Sequence, residues 1–350
     1  MNIFLLQPGL SEAIVRSQVI RLVNRLNNIK SYNYLMLHIS EKSIYGDENK
    51  QLIYYDNYLD TIKKCDEKIG FIYTRSYVLF IKLFFFRYFL SKKYKILFDF
   101  RGLGSAETYA RKKSNIKKYI LELVEFFVYK NADFVHSVSL FLKDWLASKW
   151  GVREVAVVPC CVEKIILKES KKIPSEMKFV YVGSTSFWQK IESTIHLYKI
   201  IESNIENTSL TVITKDKQAV SKLLTDNNIK NYKIKSLSQE EVLLDLVNYD
   251  FGFLLRDNIL MNNVASPVKF IEYISRGVIP ILSEGIGDYS SLVSEKKLGI
   301  IVKDNYMDIN ELYEYYNNNK ILIRLYKYSK NYTWDACLHP FLFTNNNNFE

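Results

Sequence analysis

At 350 residues the chain is too long for one ordinary domain and sufficient for two, each able to bury a core of its own. Hydrophobic residues make up 48% and charged residues 25%, which excludes a disordered or collagen-like chain and predicts one that folds in water. The net charge of +10 is unevenly spread: residues 1 to 165 hold 26 Lys and Arg against 16 Asp and Glu, whereas residues 166 to 350 hold 22 against 22. The first half therefore suits an anionic partner surface, with a solvated basic face as the plainer reading.

Met1 runs straight into the strand-like Asn2-Ile3-Phe4-Leu5-Leu6, without the charged-then-apolar pattern of a secretory leader, so the expected location is the cytoplasm. From there, apolar runs of strand length alternate with helical stretches, the signature of βαβ units and parallel sheets. Strands are predicted over 2–7, 33–39, 69–73, 95–99, 133–138 and 154–158, then 178–183, 208–213, 231–236, 250–255, 278–282 and 299–302. The clearest helices are 11–28, 76–91, 112–130, 188–203, 238–248, 266–275 and 307–319. The fold expected is α/β, with two Rossmann-like doubly wound domains facing a cleft, the default place for a ligand.

Within the first half, Tyr77 to Leu90 (YVLFIKLFFFRYFL) is rich in aromatics but carries Lys82 and Arg87 and is too short to span a bilayer of about 30 Å. Lys92, Lys93 and Lys95 follow. The stretch reads either as a crossover helix packed on the first sheet or as a segment lying in a membrane interface. Between Cys161 and Met177, charged residues and Pro174 replace the apolar periodicity. This places an N-terminal domain over 1–165, a C-terminal domain over 166–330, and a helix and tail over 331–350 that could pack back on the first domain. Cys65, Cys160, Cys161 and Cys337 lack zinc-site spacing and a disulfide framework, so they read as free thiols. His38, His136, His196 and His339 form no spaced cluster, and no metal is expected.

The most informative segment is Phe251 to Leu282. A buried strand ends in Arg256 and Asp257, and Ser266-Pro267 then opens a helix, with Ser as the cap and Pro in its first turn. Lys269, three residues on, opposes the helix dipole unless an anion sits there; a phosphate would explain it. Glu272 lies one turn deeper on the same face, where a carboxylate can take ribose hydroxyls.

Ser266 to Pro280 (SPVKFIEYISRGVIP) resembles the donor-binding helix of GT-B glycosyltransferases, especially bacterial family-four enzymes that build capsule and O-antigen polysaccharides. Val180 to Lys190 (VYVGSTSFWQK) looks like the glycine turn opening their donor domain. Val157 to Glu163 resembles the segment closing the acceptor domain, and Phe98 to Gly102 (FDFRG) the loop facing the acceptor. The resemblance implies donor binding by Gly183, Ser184, Lys190, Arg256, Ser266, Pro267, Val268, Lys269 and Glu272, and chemistry carried by Asp99, Arg101, Lys190 and Arg256. Asp99 is the candidate base if one exists. Two departures stand out: Val264 replaces a Glu eight residues before the ribose Glu, and Ser184 replaces an Arg often found after the turn glycine.

The function implied is transfer of a sugar from a nucleoside diphosphate sugar, a UDP-sugar before a GDP-sugar, to a saccharide or lipid-linked saccharide hydroxyl. It would be a retaining transfer in bacterial surface polysaccharide synthesis, without metal or cofactor, in the cytoplasm or peripherally on the inner face of the cell membrane. A nucleotide-sugar epimerase of the same fold stays open, as does a non-catalytic basic protein binding membrane or nucleic acid. The individual residues also have ordinary roles open to them: Lys190 solvated, Arg256 or Arg101 paired with a nearby aspartate, Glu272 paired with Lys269 or Arg276.

Overall fold

The structure, a computed structural model, describes residues 2–8, 33–39, 52–54, 69–89, 94–166, 176–318 and 320–337. The chain divides into two compact units, Met1–Pro159 and Cys160–Cys337.

Seven strands form the sheet of the first unit: β1 (Asn2–Pro8), β2 (Asn33–Ile39), β3 (Leu52–Tyr54), β4 (Ile69–Thr74), β5 (Lys95–Phe100), β6 (Phe134–Ser137) and β7 (Ala156–Val157). All are parallel, in the order β3-β2-β1-β4-β5-β6-β7. The winding reverses between the neighbours β1 and β4, whose carboxyl ends flank the topological switch point. The stretch predicted as a helix over 11–28 lies outside the described residues, as do Cys65, Lys92 and Lys93.

The aromatic stretch forms the helix Tyr77–Phe89 between β4 and β5, as the crossover reading expects. Its inner face buries Leu79, Phe80 and Leu83, and Phe80 meets Phe98 of β5 edge-on with centroids 5.8 Å apart. The helix expected over 112–130 is Asn115–Asn131, and a further short helix, Gly104–Lys112, precedes it. Lys113 turns left-handed at φ 51°, and the Ser114 hydroxyl accepts from the Lys117 N–H at 3.4 Å, capping the second helix.

In the second unit, β8 (Met177–Val182), β9 (Thr208–Ile213), β10 (Tyr232–Lys235), β11 (Phe251–Leu254), β12 (Ile279–Ser283) and β13 (Ile300–Val302) form a second parallel sheet, ordered β10-β9-β8-β11-β12-β13. Its switch point lies between β8 and β11. Phe179, Phe251 and Phe253 stack across these two strands at 5.2 and 5.8 Å, fixing them side by side at the centre of the core. Val162 pairs with Thr333 in an isolated bridge, and the Arg276 guanidinium donates to the Lys164 carbonyl at 2.5 Å. These bonds hold the 160–166 segment to the second unit. Trp334 is fully buried there.

The helix Val268–Ile274 lies flat on the sheet because Gly252 of β11 leaves room for the Tyr273 ring: a Cβ at Gly252 would stand 2.7 Å from two ring carbons. Neither the ring nor the strand can yield cheaply. Gly252→Ala should therefore cost about 1–3 kcal/mol of stability, measured by denaturant unfolding.

Candidate functional site

Strand β8 ends at Val182, and the chain turns at Gly183, whose N–H donates to the Ile213 carbonyl at 3.0 Å. A Cβ here would press on Gln189 Oε1 and stand 2.7 Å from Lys269 Nζ and 2.9 Å from the Tyr181 hydroxyl, so a larger residue would displace the ends of the side chains gathered at the turn. The turn runs to Lys190, left-handed at φ 49°, which opens the helix Ile191–Asn204. Next to it, β11 delivers Arg256, whose backbone is pinned by Ser283: the Arg256 N–H donates to the hydroxyl at 2.7 Å, and the hydroxyl donates back to the Arg256 carbonyl at 2.6 Å. Lys269 arrives from the helix Val268–Ile274. The site is thus built at the carboxyl ends of the two strands that flank the switch point, where open α/β sheets bind ligands.

Its electrostatics are cationic. Lys269 donates to Gln189 Oε1 and lies over the Tyr181 ring at 5.6 Å. Burial, and then the neighbouring Arg256 cation, bring its ammonium down to about 7, against the opposing pull of Glu272. Burial also lowers Arg256, and its Nε is buried without a hydrogen-bond partner. Two cations held together in a half-buried site repel each other, and an oxyanion between them removes the penalty. Glu272, 4% exposed, accepts from the Gln239 amide, which orients the carboxylate.

The other predicted donor residues are placed as follows. The Lys190 ammonium bonds Asp257 at 2.6 Å, and the Ser184 hydroxyl lies within Ser186 and Gln189 contacts at 2.8 and 3.1 Å. Ser266 is not the helix cap. Pro267 occupies that position with extended geometry and Val268 is the first helical residue, so Lys269 stands second in the helix. The Ser266 hydroxyl is instead engaged by Tyr289 at 2.5 Å and by the Cys160 N–H at 3.2 Å. Gln189, Gln239 and Tyr181 were not anticipated. Gln189 adjoins the predicted Lys190, but nothing in the pattern singles out an amide there.

In the first unit, Asp99 and Arg101 come together at the carboxyl end of β5. Asp99 is 1% exposed, and one of its oxygens, Oδ2, accepts from Arg101 Nε at 2.6 Å, from Arg75 Nε at 3.0 Å and from the Tyr73 hydroxyl. Burial alone would raise its pKa, but Arg101 and Arg75 hold it at about 2. Such a carboxylate is a poor proton acceptor near neutrality, so its fitting role is to anchor the two arginines rather than to act as a base. Burial lowers His136, beside Asp99 in the neighbouring strand, to about 4, so it is neutral at pH 7. Among the described residues, no group of three His, Cys, Asp or Glu could hold a metal ion.

No protein-family model and no curated protein sequence matches the chain. Solved structures do match, at low identity. The Anabaena HepE structure in complex with UDP superposes with a TM-score of 0.74 at 10% identity, over 98% of this chain and 99% of that one. An E. coli trehalose-6-phosphate structure bound with UDP-2-fluoro glucose gives 0.67 at 11%, over 98% of each chain. The apo form of the lipopolysaccharide outer core galactosyltransferase WaaB gives 0.66 at 12%, again over 98% of each. With two doubly wound parallel sheets in series and likeness over nearly the full length, the chain has the GT-B fold of glycosyltransferases.

Proposed function

We propose that the protein transfers a glycosyl group from a nucleoside diphosphate sugar, preferentially a UDP-sugar, to a hydroxyl of a saccharide or lipid-linked saccharide. The observation that carries this reading is the pairing of Lys269 and Arg256 at the switch point of the second sheet, with Arg256 Nε unpartnered and Lys269 pulled down to about 7. Both cations face the diphosphate, while Glu272, held by Gln239, takes the ribose hydroxyls. UDP and UDP-2-fluoro glucose in two of the matching structures support a uridine donor. The galactosyltransferase of lipopolysaccharide outer core supports a place in bacterial surface polysaccharide synthesis.

As the bond from sugar to diphosphate breaks, negative charge grows on the departing phosphate, where preorganised cations stabilise the transition state more than the ground state. In a retaining transfer the leaving phosphate takes the acceptor proton, so the poor basicity of Asp99 is no obstacle. Lys269 and Arg256 supply the positive charge that a divalent ion would otherwise bring.

Screening UDP, GDP, TDP and their sugars by thermal shift tests the donor reading, with UDP compounds expected to raise the melting temperature most. Sugar transfer should continue in EDTA. Loss of transfer on chelation, restored by magnesium or manganese, would overturn the metal-free chemistry.

We further propose that the transfer takes place at an anionic membrane surface, met through a face other than the one around Lys82 and Lys95. Arg87 is engaged with Asp133 at 2.6 Å and Lys95 lies over the Phe134 ring at 5.5 Å. A stronger candidate is the outer face of the helix Asn115–Asn131, where Ile116, Tyr119, Ile120 and Leu123, spaced three and four apart, are exposed, up to 75% at Ile116. Lys112, Lys113 and Lys117 are exposed beside them. Apolar residues flanked by lysines match an interfacial helix.

A further inference from the structure

The donor site uses the switch point of the second sheet. The switch point of the first sheet carries a similar feature: β4, which flanks it, ends at Thr74 and is followed directly by Arg75. The Arg75 side chain is 9% exposed, and its Nη2 is buried without a hydrogen-bond partner. Arg256 presents its buried, unpartnered Nε at the corresponding strand end of the second sheet. In both units, then, the fourth strand of a doubly wound sheet delivers a buried guanidinium with an unmet donor to the edge where such sheets bind ligands.

The surroundings of Arg75 select for negative charge. Arg75 and Arg101 share Oδ2 of a single carboxylate, so the three groups together carry a charge of +1. Two residues after Arg75 begins the thirteen-residue helix Tyr77–Phe89, and Ser76 caps it by accepting from the Leu79 N–H at 3.3 Å. The positive end of that helix adds to the field of the guanidinium. Asp99, which pairs with Arg75 through Oδ2, also has its Oδ1 buried and unpartnered, an unmet acceptor suited to a sugar hydroxyl.

We propose that Arg75, supported by Arg101, is an oxyanion subsite for the acceptor, so that the sugar-accepting molecule carries a phosphate or carboxylate group. This rests on the transferase reading: the donor diphosphate is accounted for in the second unit, and the anion read by the first belongs to the other substrate. Asp99 and Tyr73 act as positioning residues, fixing the Nε side of Arg75 so that Nη2 is left for the ligand.

Full-length protein saturated with UDP, which fills the donor site, would be titrated with glucose 6-phosphate, glucuronate and glucose in a calorimeter. At least one anionic sugar should bind ten-fold or more tightly than glucose, and the tighter of the two identifies phosphate or carboxylate as the group read. Arg75→Gln should reduce that probe to the level of glucose while leaving UDP affinity within two-fold. If circular dichroism shows that Arg75→Gln does not fold, Arg75→Lys is used instead; it keeps the charge, loses the planar fork and should bind at least several-fold more weakly. Equal binding of the three sugars, or unchanged anion binding in the folded Arg75 variant, overturns the proposal. Failure of UDP to bind counts against the donor reading alone, because the same titrations without UDP still report on Arg75.

Discussion

Titration of UDP at pH 8 in two buffers of different ionisation enthalpy should show uptake of close to one proton per nucleotide, and Lys269→Gln should abolish it. With its pKa lowered to about 7, Lys269 is roughly nine-tenths neutral at pH 8 in the empty site. A diphosphate reverses the balance that produces this shift: it offsets the repulsion from Arg256 and favours the charged ammonium, so the pKa rises on binding and a proton is taken up. Because the protonated form binds better, affinity falls as pH rises above 7, by up to about ten-fold per unit until the pKa of the bound form is reached. The terminal phosphate of the nucleotide titrates near 6, so measurements from pH 7.5 to 9 isolate the lysine. Lys269→Gln removes a charge-assisted hydrogen bond and should cost about 1.5–3 kcal/mol of affinity, on the order of 10- to 150-fold. Glu272→Gln should weaken nucleotide binding without proton uptake being lost. Affinity independent of pH over this range, with no proton uptake, would remove Lys269 from the donor site.

The sheets were legible because parallel strands buried on both faces read as unbroken apolar runs, and β8, β11 and β12 lie within a residue or two of the predicted spans. The three-residue strand β3 is too short to give such a run. Helices were harder. Leu140–Trp150 places Leu140, Phe141, Leu142, Trp145, Leu146 and Trp150 on several faces, which blurs the 3.6-residue period, and it was missed. The short helix Gly104–Lys112 was missed, and nothing in a lysine signals its left-handed end at Lys113.

At the candidate site, Gly183, Arg256 and Lys269 stand out in the sequence because each follows an apolar strand or lies in the first turn of a helix, and Glu272 because it lies one turn on from Lys269. Ser266 misled because capping rules are local, whereas the group that claims its hydroxyl, Tyr289, is 23 residues away. Gln189 and Gln239 act through contacts spanning 80 and 33 residues, to Lys269 and Glu272, and only the assembled sheet brings them there. The motif offers Asp99 as a candidate base but gives no sign of its second partner, Arg75, which arrives from another strand and helps hold the carboxylate low.

Vesicles rich in anionic lipid should sediment the protein, and Ile120→Glu with Leu123→Glu should release it. The helix Asn115–Asn131 turns two different faces outward and inward: Val128 and Tyr129 are buried with Glu125, whereas Ile120 and Leu123 are 56% and 69% exposed. Glu125 does structural work, accepting from the N–H and hydroxyl of Ser105 at 2.9 and 2.6 Å, so the helix is anchored through that side and its apolar outer stripe is available. Among the described residues no helix is long and apolar enough to cross a membrane. Each lysine near an anionic surface contributes about 1 kcal/mol, so replacing Lys112, Lys113 and Lys117 together with Gln should weaken binding by on the order of 100-fold. The attraction extends about 10 Å at 0.1 M salt, and raising the salt should weaken binding steeply. The glutamate pair should abolish it at any salt, since carboxylates in the apolar stripe oppose insertion. Both variants change exposed positions and should keep the far-ultraviolet circular dichroism of the parent chain. If neutral vesicles bind as well as anionic ones, or both variants sediment like the parent, the stripe meets some other partner. Loss of a dimer in the glutamate variant, measured by light scattering, would identify that partner as a second copy of the chain.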